Sequence, residues 1–278
     1  MAHSLFLGDF GCDMRRWCLA AAMCLMSGTL CAAEPLEVDL ELALMVDVSR
    51  SMSPAELELQ RRGYAEALKS QEVWDAVQSG LLQTIALTYI EWAGYEEVIV
   101  DWRLIDSQDD LAAFADALVT RYDNALRRTS ISGALAFGSQ RIETNDFAGL
   151  RRVIDVSGDG PNNLGINVTR ARDEVLMKGI VINGLPLMTN DGFSSFFHLE
   201  NLDLYYEACV IGGAGSFVIP VYDWPDFADA IRRKLVLEIA DLVPKEEIQR
   251  VQARDPRDCR IGEKIWEDFM TGRGGGLP

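Results

Sequence analysis

Histidine is almost missing from this chain, with two in 278 residues. His3 and His198 stand alone, which removes the usual ligand sets of zinc and copper and the commonest general base. Cations are scarce too: 26 Lys and Arg face 43 Asp and Glu, a formal net charge of −17. Such a surface repels phosphate backbones and anionic lipid, so no nucleic acid is expected as a partner, although a local cation site is not forbidden. After residue 33 no apolar run is long enough to cross a bilayer, so no stable membrane insertion is expected there. Internal repeats and low-complexity linkers are also missing. The Gly212-Gly213-Ala214-Gly215 run precedes a strand rather than linking a strand to a helix, so it reads as a turn and not as a dinucleotide loop.

The first residues present a leader. Arg15 and Arg16 form a basic start, residues 17–30 an apolar centre, and Cys31-Ala32-Ala33 a small-residue cleavage site. Residues 1–33 are expected to be a signal peptide, with a retained anchor as the alternative. Residues 1–13 lack signal character, which points to Met14 as the start, and bulky Leu30 disfavours a lipoprotein reading of Cys31. Asp9 and Asp13 balance Arg15 and Arg16, so the chain beyond the leader keeps the −17 charge. Its expected destination is the periplasm or the exterior. Of six cysteines four lie in the leader, leaving Cys209 and Cys259. In an oxidising compartment these pair as a disulfide pinning the tail, or stay as two thiols with Cys209 buried in a helix.

Hydrophobic residues make up 49% of the chain, enough for a sizeable core. Strands are expected at 37–47, 83–92, 96–105, 151–157, 180–188 and 216–224. Helices are expected from Pro54 to about Lys69, at 107–120, 130–143, 167–178 and 200–209, and from Pro225 to about Leu242 with Lys and Arg along one face. Ser53, Pro54 and Glu56 spell a capping box with proline in the first turn. Ala93-Gly94-Tyr95 joins two strands as a hairpin, hence an antiparallel pair. This alternation predicts an α/β, Rossmann-like three-layer sandwich: a mostly parallel six-stranded sheet with one antiparallel edge strand. The domain is expected to span 34–242, followed by a polar tail at 243–278 that holds a short helix near 260–270.

Ligands of open α/β sheets bind beyond the carboxyl ends of the strands. There the run LALMVDVSRSMSP delivers Asp47, Ser49 and Ser51 between a strand end and a helix cap. Oxygen donors of this kind suit a hard cation. Two further segments end in the same place. Thr129 opens the helix after a polar loop, and Ser157-Gly158-Asp159-Gly160 ends a strand with glycines that let the backbone turn. Two carboxylates and three hydroxyls, completed by water, form a plausible octahedral Mg2+ set (Mn2+ and Ca2+ are alternatives). Taken singly, Asp47 and Ser49 also suit a turn and Ser51 a helix cap. Asp155 receives no role. Asn162 and Asn163 read as turn residues able to line the cleft rim, and Asn167 as a helix start rather than a glycosylation site. Tyr205, Tyr206 and Trp224 read as packing, and the pairs Arg127-Arg128 and Arg151-Arg152 as solvated.

The DxSxS pattern at 47–51, the TxxxxAL pattern at 129–135 and the SGDG turn at 157–160 resemble the metal-ion-dependent adhesion site of von Willebrand factor type A domains. The flanking YYEACVIGG and FADAIRRKLVLEIA stretches resemble an exported bacterial group, domain-of-unknown-function family 1194. The resemblance implies a Rossmann-like fold in which Ser49, Ser51 and Thr129 bind Mg2+ directly, while Asp47 and Asp159 act largely through water. It leaves a coordination position for an Asp or Glu of a partner protein. Ile131 departs from the pattern, since many members carry a second Thr there. The expected function is therefore a non-enzymatic protein-binding module. A Mg2+-dependent phosphohydrolase is a rival, weakened because Ser49 stands where such enzymes place a second Asp. A domain whose metal only stabilises the loops is another.

Overall fold

The apolar run expected as the first strand becomes the centre of the sheet. The computed structural model describes residues 34–49, 51–119, 128–189, 199–242, 244 and 258–272. The leader, Met14, Arg127 and His198 lie outside the described residues. From Pro35 on, the described residues form one compact unit.

Strand β1 (Leu36–Asp47) is buried on both faces from Val38 onward. It pairs in parallel with β2 (Ile85–Trp92) on one side and with β4 (Phe147–Gly158) on the other. Strand β3 (Glu96–Ile105) pairs antiparallel with β2 through the expected hairpin, closed by Ala93 N donating to Tyr95 O at 3.0 Å. Strand β5 (Val181–Pro186) runs parallel to β4, giving the order β3-β2-β1-β4-β5.

The sheet thus has five strands rather than six. Residues 216–224 do run beside β5, but only through isolated bridges at Gly184↔Val218 and Leu187↔Val221. Ile219 N donates to Gly184 O and Val221 N to Pro186 O, but Pro186 has no N–H to return to residue 219, so a continuous ladder cannot form.

Alternation along β1 divides the core. Leu40, Leu42, Leu44 and Val46 face helices α1 (Pro54–Leu68), α2 (Gln71–Gln78), α3 (Gln108–Leu118) and α7 (Phe227–Ile239). Ala43 and Met45 face α4 (Ile131–Glu143), α5 (Val168–Leu176) and the short α6 (Leu202–Tyr205). Full burial of each such leucine stabilises the fold by roughly 1.5–3 kcal/mol. Helix α2 was not expected; Ser70 caps it and starts a new helix right after α1.

The capping box is formed, with Ser53 N donating to Glu56 Oε2 at 2.6 Å and Glu56 N to Ser53 Oγ at 3.3 Å. The expected helix at 200–209 becomes α6 followed by a π-helical stretch, Tyr206–Val210. In the tail, α8 (Ile261–Met270) lies where a short helix was expected. Cys209 and Cys259 are disulfide-bonded, with Cα atoms 5.5 Å apart.

The arginine pairs are not simply solvated. Arg151 donates to the carbonyls of Glu238 and Ile239 at 2.8 and 2.7 Å, and so satisfies the end of α7. Arg152 donates to the Lys178 carbonyl. Nor is α7 cationic only toward solvent, because Lys234 is fully buried. Among the described residues no helix is long and apolar enough to cross a membrane.

Candidate metal centre

Parallel pairing of β1 with β4 brings their carboxyl ends to one edge of the sheet, and the register matches Val46 with Ser157. The next positions, Asp47 and Gly158, are therefore neighbours. A Cβ on Gly158 would lie 2.9 Å from Asp47 Oδ2 and 2.8 Å from the Tyr206 hydroxyl. Glycine here provides the close approach that lets the Asp47 carboxylate lie beneath the turn carrying Asp159.

Asp47 is fully buried. Its Oδ1 accepts from Ser49 N at 2.7 Å, and its carbonyl accepts from Gln60 Nε2 at 2.9 Å. The first bond is an Asx-type turn, the local device by which an aspartate ends a strand. The second fixes the strand end against α1. Ser51 Oγ donates to Asp159 Oδ1 at 2.8 Å, Ser49 Oγ lies 3.5 Å from the same oxygen, and the two hydroxyls are 2.9 Å apart. Asp47, Ser49, Ser51 and Asp159 thus form one cluster drawn from two segments. Thr129 is tied instead to the loop that follows Asp159. Its N–H donates to Asn163 Oδ1 at 3.0 Å, and its carbonyl accepts from Asn163 N at 2.9 Å. Among the described residues no hydrogen bond links Thr129 directly to the other four.

Burial, and then the charge of Asp159, hold the Asp47 carboxyl well above the ordinary carboxylate range. Burial also raises Asp159, against which its bond from Ser51 works. Two carboxylates side by side each make the other harder to ionise unless a cation is present. Among the described residues no Lys or Arg pairs with either, and Asp47 Oδ2 is buried without a hydrogen-bond partner. An orphaned buried carboxylate oxygen, a second carboxylate and adjoining hydroxyls fit a hard divalent cation. Among the described residues no group of three or more His, Cys, Asp or Glu is placed to hold a metal ion, so any ion here would rely on the hydroxyls as well as the two carboxylates.

Five residues around the cluster have contacts that the sequence did not show. Tyr206 is buried with its hydroxyl unpartnered beside Asp47; burial, then the Asp47 charge, raise its pKa far above the ordinary phenol value. Gln60 holds the strand end. Glu56 accepts from Trp224 Nε1 at 3.1 Å in addition to its capping role. Asn163 and Asn162, read as turn residues able to line the cleft rim, accept from Thr129 N and from Ser132 N at the start of α4, respectively. Of these, only the capping box and the Asn-Asn pair after the SGDG turn left a signal in the sequence.

The family described as "Protein of unknown function (DUF1194)" matches residues 37–243, and the chain belongs to it. No curated protein matches the sequence. Proximal thread matrix protein 1 from the mussel byssus aligns at TM-score 0.52 and 13% identity, over 75% of this chain and 49% of that one. The pilus adhesin SpaC from Lactobacillus rhamnosus GG aligns at TM-score 0.52 and 13% identity, over 73% of this chain and 30% of that one. The chain thus corresponds to about half or less of those structures, and at this identity the likeness is one of fold. That fold is von Willebrand factor A-like, with the antiparallel edge strand that the Ala93-Gly94-Tyr95 hairpin predicted and one strand fewer than the six expected.

Proposed function

We propose that this member of the DUF1194 family is an exported, non-enzymatic protein-binding module. In this reading Asp47, Ser49, Ser51, Thr129 and Asp159 hold a divalent cation, Mg2+ foremost, and an Asp or Glu of a partner protein completes the site. One observation carries the reading. The buried Asp47 carboxyl and the half-buried Asp159 carboxyl lie against the Ser49 and Ser51 hydroxyls, and among the described residues no Lys or Arg pairs with either. A bound cation would supply the missing positive charge and, with few direct carboxylate contacts, stay electrophilic toward an incoming acid. The hydroxyls of Ser49 and Ser51 and the Asp47 turn preorganise the donors. Export rests on the leader at 1–33, and the cation class on the oxygen-only donor set. Ser49 at the second position after Asp47 disfavours the phosphohydrolase alternative, because its hydroxyl is engaged with Ser51 rather than placed as an acid.

The experiment is titration of the purified chain with Mg2+, Mn2+ and Ca2+, followed by capture of periplasmic proteins with and without EDTA. Wild type is expected to bind Mg2+, to gain about 2.7 kcal/mol of stability at one hundred times the Kd, and to release its partner in EDTA. Asp159→Ala should lose all three behaviours. Mg2+ binding that survives in Asp159→Ala, or partner capture indifferent to EDTA, refutes the reading.

A further inference from the structure

Helix α8 lies beyond the stretch shared with the family, yet it packs onto the segment that carries Asp159. Asn162, three residues after that aspartate, is fully buried and bonded on every side. Its Oδ1 accepts from Ser132 N at 2.9 Å, in the first turn of α4, just after Thr129. Its Nδ2 donates to Ile166 O at 3.3 Å and to Glu263 Oε1 of α8 at 2.8 Å. Its backbone N–H donates to the Tyr205 hydroxyl at 3.2 Å. Gly262 packs so closely that a Cβ there would lie 2.1 Å from the Asn162 carbonyl oxygen. On the other side of the same loop, the Arg128 guanidinium stacks 3.8 Å from the centre of the Trp266 ring and donates to Asn163 O at 2.8 Å. Arg128 has a φ of +76°, a conformation that a non-glycine residue keeps only when its surroundings hold it. The Cys209–Cys259 disulfide ties the entry of α8 to the π-helical stretch, whose Tyr206 hydroxyl adjoins Asp47 and Gly158.

These contacts form a chain from α8 to two metal-binding loops. A carboxamide has a donor end and an acceptor end, and only one orientation satisfies both Ser132 N and Glu263. We propose that α8, tethered by the disulfide, clamps the metal centre, and that Glu263 and Asn162 are its positioning residues. Glu263 orients the Asn162 carboxamide, and Asn162 then holds the start of α4, and with it Thr129, in register with Asp159. The proposal rests on the metal reading above. A small octahedral cation tolerates little displacement of its ligands, and loss of such an outer contact typically costs about 10–100-fold in metal affinity.

The test compares the full oxidised chain with Glu263→Ala, Glu263→Gln and Cys259→Ala. One readout is Mg2+ affinity by titration calorimetry. The other is amide hydrogen exchange at Thr129 and Ser132 in metal-free protein. Glu263→Ala should bind Mg2+ about 10–100-fold more weakly and exchange both amides faster. Glu263→Gln, whose carbonyl still accepts from Asn162, should stay close to wild type in both. If Glu263→Ala does not fold, Cys259→Ala carries the test, with a loss of affinity in the same direction expected. Wild-type affinity in the alanine variants, or equal damage from Gln and Ala, overturns the clamp alone. A wild-type chain that binds no Mg2+ overturns the metal reading and the clamp with it.

Discussion

Strand β4 and the turn that follows it bear two acids that meet different fates, Asp155 buried and Asp159 half-buried. Asp155, within the strand, lies 2.5 Å from Lys234 Nζ, and the same ammonium pairs with Glu238. Asn183 Nδ2 also donates to Glu238 Oε1, at 2.9 Å. Asp159, just past the strand end, shares its surroundings with Asp47 and two hydroxyls, and no described Lys or Arg reaches either. Glu91, at the end of β2, follows the first pattern, gripped by Arg61 through bonds of 2.5 and 2.6 Å. Among the described residues the fold therefore provides an internal cation for the acids at Glu91 and Asp155 and none for the pair at 47 and 159. A buried acid that ionises without a counter-charge is costly, and the comparison teaches that a bound cation would relieve at Asp47 the cost that Lys234 relieves at Asp155.

Removing the internal cation attacks this contrast most directly. Lys234→Met should destabilise the protein by about 3–5 kcal/mol, since it strands Asp155 and Glu238; urea unfolding measures it. A loss below about 1 kcal/mol would mean that the two acids tolerate burial without a cation, and the inference about Asp47 and Asp159 would lose its basis. Gly158→Ala acts on the other cluster. The new methyl would press on Asp47 Oδ2 and the Tyr206 hydroxyl, and the overpacking should cost about 1–3 kcal/mol. Its sharper mark is a loss of Mg2+ binding, which Lys234→Met should not share in the molecules that remain folded.

The smallest effect is one of slope. Burial, and then the charge of Asp155, push Glu238 from the ordinary 4.5 up to about 7. The folded form therefore keeps a proton that the unfolded chain releases earlier. The stability this group contributes is full below pH 4.5 and is lost as the pH rises toward about 7. One proton limits that slope to about 1.4 kcal/mol per pH unit. Glu238→Gln should flatten it, as followed by urea midpoints across this range. An unchanged slope would show that Lys234 already serves both acids in full.

Much of the scaffold could be read from residues close in the chain. The Ser53-Glu56 box, the Ala93–Tyr95 hairpin, the helix starts at Ser107, Ser130 and Asn167, and the apolar β1 run all act through bonds a few residues long. The Asp47, Ser49 and Ser51 loop belongs to the same class. Two local misreadings have local causes: Ser70 restarts a helix as α2, and Pro186 breaks the ladder beside what hydropathy alone made a sixth strand. Asp155 and Lys234 were beyond such reasoning, because a strand and a distant helix must dock before either has a partner. Arg128 looked solvated for a similar reason, since Trp266 reaches it only after α8 has packed.

By itself, then, the sequence determined which segments become strands and helices and which oxygen-bearing loops end them, because caps, turns and apolar periodicity are short-range. The tertiary structure alone decided that Asp47 lies beside Gly158 and Asp159, that Lys234 serves Asp155 and Glu238 but not them, and that α8 touches Asn162. Sheet register and helix docking are settled by the sum of many distant contacts, and no single stretch of residues encodes that sum.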